Sequence, residues 1–314
     1  MINLNMMEAM LSTAVQTAVL FVMMGVGVIA RRIGVFDADS IKRLTDFLIR
    51  FITPCLIISS FQRPCDSSRI VSFGWAFAAS VTATVIAIVL ARLCMRTDDK
   101  RKRSVLEWAC VFSNCGYMGI PLEQAIFGDE GVFYGISAIA VFNIFAWTYG
   151  VWMMGGAVGK TEIIKGIVNP ANIAVAIALP LFFLPWRLPF IIAKPIEHIG
   201  SLNTPIAMIV MGYYLASAKF GAAFKCKYTY LMLLIRHLVV PLLLVAILAF
   251  CPFISTMARL SSVVPASAPI GVLLTVFAVW YDCDAEFSTA LVAVSTIFSI
   301  FTIPVVIAIA SVVF

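Results

Sequence analysis

Two short stretches hold residues whose types and spacing can do chemistry. The first reads Ser113-Asn114-Cys115-Gly116-Tyr117-Met118-Gly119-Ile120-Pro121-Leu122, the second Ser267-Ala268-Pro269-Ile270-Gly271-Val272. Each sets proline and glycine inside an apolar run. Proline removes a backbone donor and clashes with the preceding turn; glycine permits unwinding. Both stretches therefore predict interrupted helices. Such an interruption in hydrocarbon strands backbone N–H and C=O groups, unless protein or a water-filled cavity surrounds them. Where a half-helix begins, its free N–H groups and partial positive charge suit an anion. The expected chemistry is recognition of a carboxylate, with Asn114 donating its side-chain amide. Ser113, Gly116, Gly119 and Pro121 from one stretch, with Ala268, Pro269, Ile270 and Gly271 from the other, are the expected lining. For either stretch alone, a kinked structural helix is the competing reading.

The surrounding elements must be membrane helices. The chain of 314 residues is 62% hydrophobic and 12% charged, against about 45–50% and about 25% for an ordinary soluble domain. Apolar segments lie at about 11–30, 43–62, 70–94, 105–127, 132–157, 170–186, 196–218, 228–250, 260–281 and 286–312. Each approaches the roughly 20 residues that span a bilayer. The expected fold is thus all-α, an integral membrane protein of about ten transmembrane helices, with the fourth and ninth broken. The sixth segment is short and ends in Pro185-Trp186-Arg187-Leu188-Pro189, an interfacial aromatic among helix breakers. The loops are too short for a soluble domain. Of the lysines and arginines in loops, 14 fall on one side and 5 on the other. The first set includes Arg31, Arg32, the run from Arg96 to Arg103, Lys225 and Lys227. The basic side should face the cytoplasm, which puts both termini outside. Nucleic-acid binding by so short a basic loop is not expected. The eight cysteines show no paired spacing and no histidine or acidic cluster has metal-ligand spacing, so no cofactor or metal is expected.

The two halves resemble each other. Thr53-Pro54 and Thr204-Pro205 are offset by 151 residues, and Gly128-Asp129 and Asp282-Cys283 by 154, both near half the length. Residues 1–157 and 158–314 would each hold five spans. An odd number makes the halves inverted, and inverted repeats with interrupted helices in matching places are a transporter signature.

Asn114, Met118-Gly119-Ile120-Pro121-Leu122 and Phe127-Gly128 resemble the fourth helix of the auxin efflux carrier family. Ala268-Pro269-Ile270-Gly271, Tyr281 and Ser288-Thr289-Ala290 resemble its ninth, and Pro54-Cys55-Leu56 and Pro205 through Gly212 its second and seventh. The family includes plant auxin carriers and bacterial malonate and malate permeases. The resemblance implies a ten-helix fold with two proline crossovers and substrate held between them. A transport part (spans 3–5 and 8–10) would move as an elevator against a scaffold (spans 1, 2, 6 and 7). It implies small organic anions as substrates, mono- or dicarboxylates, a homodimer, and a location in the cytoplasmic membrane.

Other polar residues stay open. Asp46 and Arg50 are one helical turn apart and can neutralise each other, or Arg50 can attract a carboxylate. Asn143, in the fifth span, either faces the crossover or bonds a neighbouring helix. Glu123 departs from the apolar family pattern. It is either a coupling group or a carboxylate near the outer interface. Gly25-Val26-Gly27 mimics a dinucleotide fingerprint but sits in a membrane helix. An intramembrane enzyme would need Ser137 to meet His198. A sodium-coupled symporter of a related broken-helix fold is a further alternative, although neither crossover carries a carboxylate.

The charge asymmetry predicts a definite topology. A single cysteine at position 100, in a background lacking native cysteines, should resist an impermeant reagent applied to intact cells and react after permeabilisation. Labelling from outside would overturn the orientation.

Overall fold

Apolar runs of this length satisfy their backbone groups most readily as helices, and the computed structural model, which describes residues 6–64, 66–184 and 187–314, is helical with no named strand among them. In chain order the helices are α1 (Met6–Arg32), α2 (38–60), α3 (Ser67–Cys94), α4 (Lys100–Val111), α5 (115–127) and α6 (129–153). Then follow α7 (Lys160–Ile167), α8 (Pro170–Phe183), α9 (Phe190–Ser201), α10 (Asn203–Leu215) and α11 (Gly221–Phe224). The chain closes with α12 (Lys227–Ala249), α13 (Thr256–Ser267), α14 (Leu273–Trp280) and α15 (Ala285–Val313). Among the described residues five stretches are long and apolar enough to cross a membrane: α1, α3, Cys115–Met153, α12 and α15. Straight, the 39 residues of Cys115–Met153 would run about 58 Å, nearly twice the hydrocarbon core. Gly128, at φ 65° and ψ −155°, divides them into α5 and α6, in a conformation open to glycine. The shorter α8 is also apolar; the expected Pro185-Trp186 end of its span lies outside the described residues.

The polar residues between apolar runs start helices. Asp66 accepts from the Arg69 amide at 2.7 Å ahead of α3, and Asp284 from Phe287 at 2.9 Å ahead of α15. Asp99 caps α4 and Asn169 caps α8, each satisfying amides the helix leaves orphaned.

Proline acts differently from its sequence expectation. Pro54, Pro121 and Pro241 each follow a wide π-turn, at Leu48–Ile52, Cys115–Gly119 and Ile235–Val239. The turn absorbs the missing N–H and the ring without ending the helix. In the first half the non-helical residues are therefore Phe112 to Asn114, upstream of Pro121. In the second half they run from Ala268 to Val272 and include Pro269, whereas Pro265 lies inside α13. No ion pair joins Asp46 to Arg50 among the described residues; both side chains are exposed.

Glycine sets the closest helix approach. A Cβ on Gly27 would strike the Ile209 carbonyl, and one on Gly212 the Met24 carbonyl, so α1 and α10 pack backbone to backbone. Small residues drive association where lipid is as apolar as the side chains. Gly27 thus does packing work, while a Cβ on Gly25 would meet nothing. Among the described residues two large apolar cores fill the rest, one around Phe61, Phe133 and Phe182, the other around Trp108, Phe112 and Phe277, beside a small third of Ile41, Val210 and Tyr213.

Gly212→Val should force α1 off α10, with overpacking costs of about 1–3 kcal/mol or more. The purified variant should melt well below wild type or aggregate on size exclusion, while Gly25→Ala behaves as wild type. Equal melting of Gly212→Val and wild type would contradict this packing.

Candidate binding site

The two non-helical segments cross. Ser113 and Ile270 form an isolated antiparallel bridge. The Asn114 amide donates to the Pro269 carbonyl at 2.6 Å and the Gly271 amide to the Phe112 carbonyl at 3.0 Å. Four half-helices therefore meet: α4 and α13 end at the crossing, and α5 and α14 begin there. Each ending helix leaves orphan carbonyls and each beginning helix leaves orphan amides.

One side chain answers the carbonyls. Arg236, on α12, is 2% exposed. Its guanidinium donates to Ala266 O at 2.9 Å, Ala268 O at 3.2 Å, Pro265 O at 3.4 Å, Cys110 O at 3.4 Å and Val111 O at 3.5 Å. Two helix C-termini carry roughly −0.5 charge each, so one cation balances the pair. Arg236 forms no salt bridge to a carboxylate among the described residues; it is spent on backbone. Its neighbour His237 holds the second break in place. His237 Nε2 lies 2.7 Å from Ser295 Oγ, which accepts the Ile270 amide at 3.0 Å, and His237 Nδ1 lies 3.2 Å from Thr302 Oγ1. Arg236 is not among the residues singled out from sequence, although an arginine in an apolar run such as 228–250 is a functional signal by default.

No charged group among the described residues answers the amides. Among the described residues the amides of Val272 and Leu273 at the start of α14 take no backbone or side-chain partner, and those of Cys115 and Gly116 at the start of α5 meet only the Cys115 thiol, a weak acceptor. All four residues line one cavity of about 380 Å³, within the range for small-molecule sites. Asn114 caps α5, its Oδ1 accepting the Tyr117 amide at 3.3 Å. Its Nδ2 meets only Met211 Sδ, at 3.4 Å, a weak acceptor. The opposite wall comes from α2, α8 and α10, through residues such as Thr53, Pro170, Asn203 and Met211. Among the described residues no lysine, arginine, histidine or carboxylate lines this cavity.

Of the residues singled out from sequence, Ser113, Asn114, Gly116, Asn143 and Gly271 line the cavity. Ala268, Pro269 and Ile270 belong to the crossing itself. Gly119 packs against Pro265, 3.7 Å from a Cβ position, and Pro121 is buried in α5, neither on the cavity. Asn143 donates to Asn169 and Asn172, both at 3.3 Å, so it also bonds a neighbouring helix. Arg50 is exposed beside the cavity-lining Leu48 and Ile49 and does not line it. Glu123 is fully buried. It fits a notch made by Gly131 and Gly135, whose Cβ positions would lie 2.7 Å from its Oε2 and 2.9 Å from its Cγ. Its carboxyl faces the Ser261 hydroxyl. Ser137 donates to Tyr134 O at 2.7 Å and lies beside Ser80, while His198 is exposed, so the Ser137–His198 pair does not form. Among the described residues no group of histidine, cysteine, aspartate and glutamate could hold a metal.

The family model for membrane transport proteins matches residues 13–307. An uncharacterized transporter of Methanothermobacter thermautotrophicus is 26% identical over 287 residues, 88% of this chain and 92% of that protein. An uncharacterized transporter of Methanocaldococcus jannaschii is 22% identical over 220 residues, 65% of this chain and 70% of that one.

Arg236→Met would strand five carbonyls at the ends of α4 and α13. The expected loss is on the order of 3–5 kcal/mol, as when one partner of a buried charged interaction is removed. Arg236→Lys should recover only part, because an ammonium lacks the planar fork that spans both helix ends. Thermal melting of the purified proteins should rank wild type, then lysine, then methionine; equal melting would contradict the role given to Arg236.

Proposed function

The chain belongs to the membrane transport protein family, that of the auxin efflux carriers, and from that premise we propose a secondary transporter that holds a small organic anion where its two helix interruptions cross. The observation that carries the reading is the pair of half-helix N-termini, with two unpartnered amides and two that meet only a thiol, at one cavity with no cationic side chain among its described lining residues. Each N-terminus carries roughly +0.5 charge. Arg236 balances the opposite ends; the positive ends await an anion. Asn114 Nδ2 adds a donor now spent on a thioether.

The family premise makes the protein a multi-pass membrane protein. In our reading it has ten spans in two inverted halves, 1–157 and 158–314, with α4–α5 and α13–α14 as the broken fourth and ninth. The cavity lies between α2, α8 and α10, which belong to the scaffold, and α5, α6 and α14, which move. An elevator step would carry the crossing past the scaffold, breaking the contacts of Asn114 with Met211 and of Asn143 with α8. The basic loops face the cytoplasm in the cytoplasmic membrane, and a homodimer forms through the scaffold; light scattering in detergent reads the dimer. Coupling to protons would use Glu123, a buried carboxyl that faces Ser261. Sodium coupling is the second reading. It lacks support from the cavity, where no carboxylate offers a hard oxygen ligand.

Proteoliposomes given a panel of radiolabelled mono- and dicarboxylates test the reading. At least one anion should be taken up, with sodium replaced by choline at fixed pH and voltage. Asn114→Asp keeps the helix cap but replaces the donor with a charge, and should abolish uptake. Asn114→Ala should weaken binding roughly tenfold or more through loss of the donor. Binding by both variants as tight as wild type would move the site elsewhere, and loss of wild-type uptake without sodium would favour the symporter.

A further inference from the structure

Asn203 is an unassigned binding group on the scaffold wall. It opens α10, is 3% exposed and lines the cavity. Thr53 Oγ1, on α2, donates to its Oδ1 at 3.0 Å. That bond fixes the amide and leaves Nδ2 as its free fork. Nδ2 has no hydrogen-bond partner. Among the described residues, Asn203 is the one cavity-lining residue whose side chain keeps an unpartnered buried polar atom. The fold thus spends a threonine on orienting an amide whose donors meet nothing in the chain. Buried donors are costly to leave unmade, which is expected where a ligand completes the bond.

The charge around the cavity limits what that ligand can be. The two N-termini together supply roughly one positive charge, enough for one carboxylate. The rest of the lining is neutral and largely apolar, including Ile139, Phe142 and Met211. A second carboxylate against Asn203 would be desolvated with no cation to balance it. A neutral acceptor there would gain a hydrogen bond at no charge cost. Asn203 and Met211, which touches Asn114, are about 12 Å apart along α10, so the acceptor sits several bonds from the carboxylate.

We propose that Asn203, oriented by Thr53, selects a monocarboxylate bearing an uncharged acceptor such as a ketone over plain aliphatic acids and over dicarboxylates. The proposal rests on the anion site at the crossing and adds the substrate class to it.

Calorimetric titration of the purified full chain with hexanoate, its keto derivatives with the ketone at successive carbons, and adipate tests it. For wild type the best keto acid should bind roughly tenfold or more tightly than hexanoate, the worth of one unmade buried hydrogen bond, and adipate should bind worst. Asn203→Leu should erase the keto preference, so that the best keto acid and hexanoate bind it equally. Thr53→Val, which frees the amide, should reduce the preference; it and Asn203→Asp, which should weaken every anion in the panel, cover the case in which the leucine variant fails to fold. An unchanged preference in Asn203→Leu or Thr53→Val overturns the proposal, as does adipate binding tightest. Keto acids no tighter than hexanoate in wild type overturn it while leaving the anion site standing. If no acid in the panel binds wild type but some other anion does, the substrate class is wrong; if no anion binds at all, the site at the crossing fails with it.

Discussion

Five carbonyl oxygens at the ends of two helices converge on one guanidinium, and the centre of the fold depends on that contact. Two helices cannot end face to face in a membrane interior on their own. Their terminal carbonyls would be unpaired, and their dipoles would place like partial charges together. Arg236 removes both objections, with donors enough for both ends. His237 and Ser295 fasten the second break from the other side. A residue pair on α12 thus makes an otherwise forbidden arrangement of α4 and α13 stable.

The same geometry creates an asymmetry. Ending helices and beginning helices meet at one place, but only the ending ones are balanced. The beginning ones leave their amides without a charged partner and turn them toward a cavity. In water this would matter little, because solvent would satisfy the amides and screen the dipoles. In a mostly apolar cavity the field is stronger, and an anion would neutralise it. The wall across from the crossing repeats the pattern on a smaller scale, with Thr53 holding Asn203 and leaving a donor unmade.

Much of this was legible in the sequence, for reasons that can be named. Long apolar runs broken by charged loops identify membrane helices, as with Met6–Arg32 and Ser67–Cys94, although the helices extend several residues past the apolar core because Asp66 and Asp99 cap them from the loops. Asn114, Gly116 and Gly271 stood out because polar and small residues are conspicuous in such runs. Pro121 misled: a π-turn absorbs it, and the helix breaks upstream where Phe112 and Ser113 carry no breaker signal. Arg236 and Asn203 escaped because their meaning is tertiary. Arg236 acquires it from carbonyls far away in the chain, and Asn203 from having no partner at all. Glu123 stays open between a coupling group and an interfacial carboxylate in the sequence, because the glycines that make its buried notch, Gly131 and Gly135, are one helix further on.

The central claim is that the unpaired helix starts, not Arg236, bind the anion. Anomalous diffraction from crystals soaked in a bromine-labelled carboxylate locates the anion directly. The account predicts a bromine peak inside the cavity, in contact with residues that adjoin Cys115, Gly116, Val272 and Leu273, with Arg236 still bonded to its carbonyls. A peak at the guanidinium, or anywhere outside the cavity with the cavity itself empty, would contradict it.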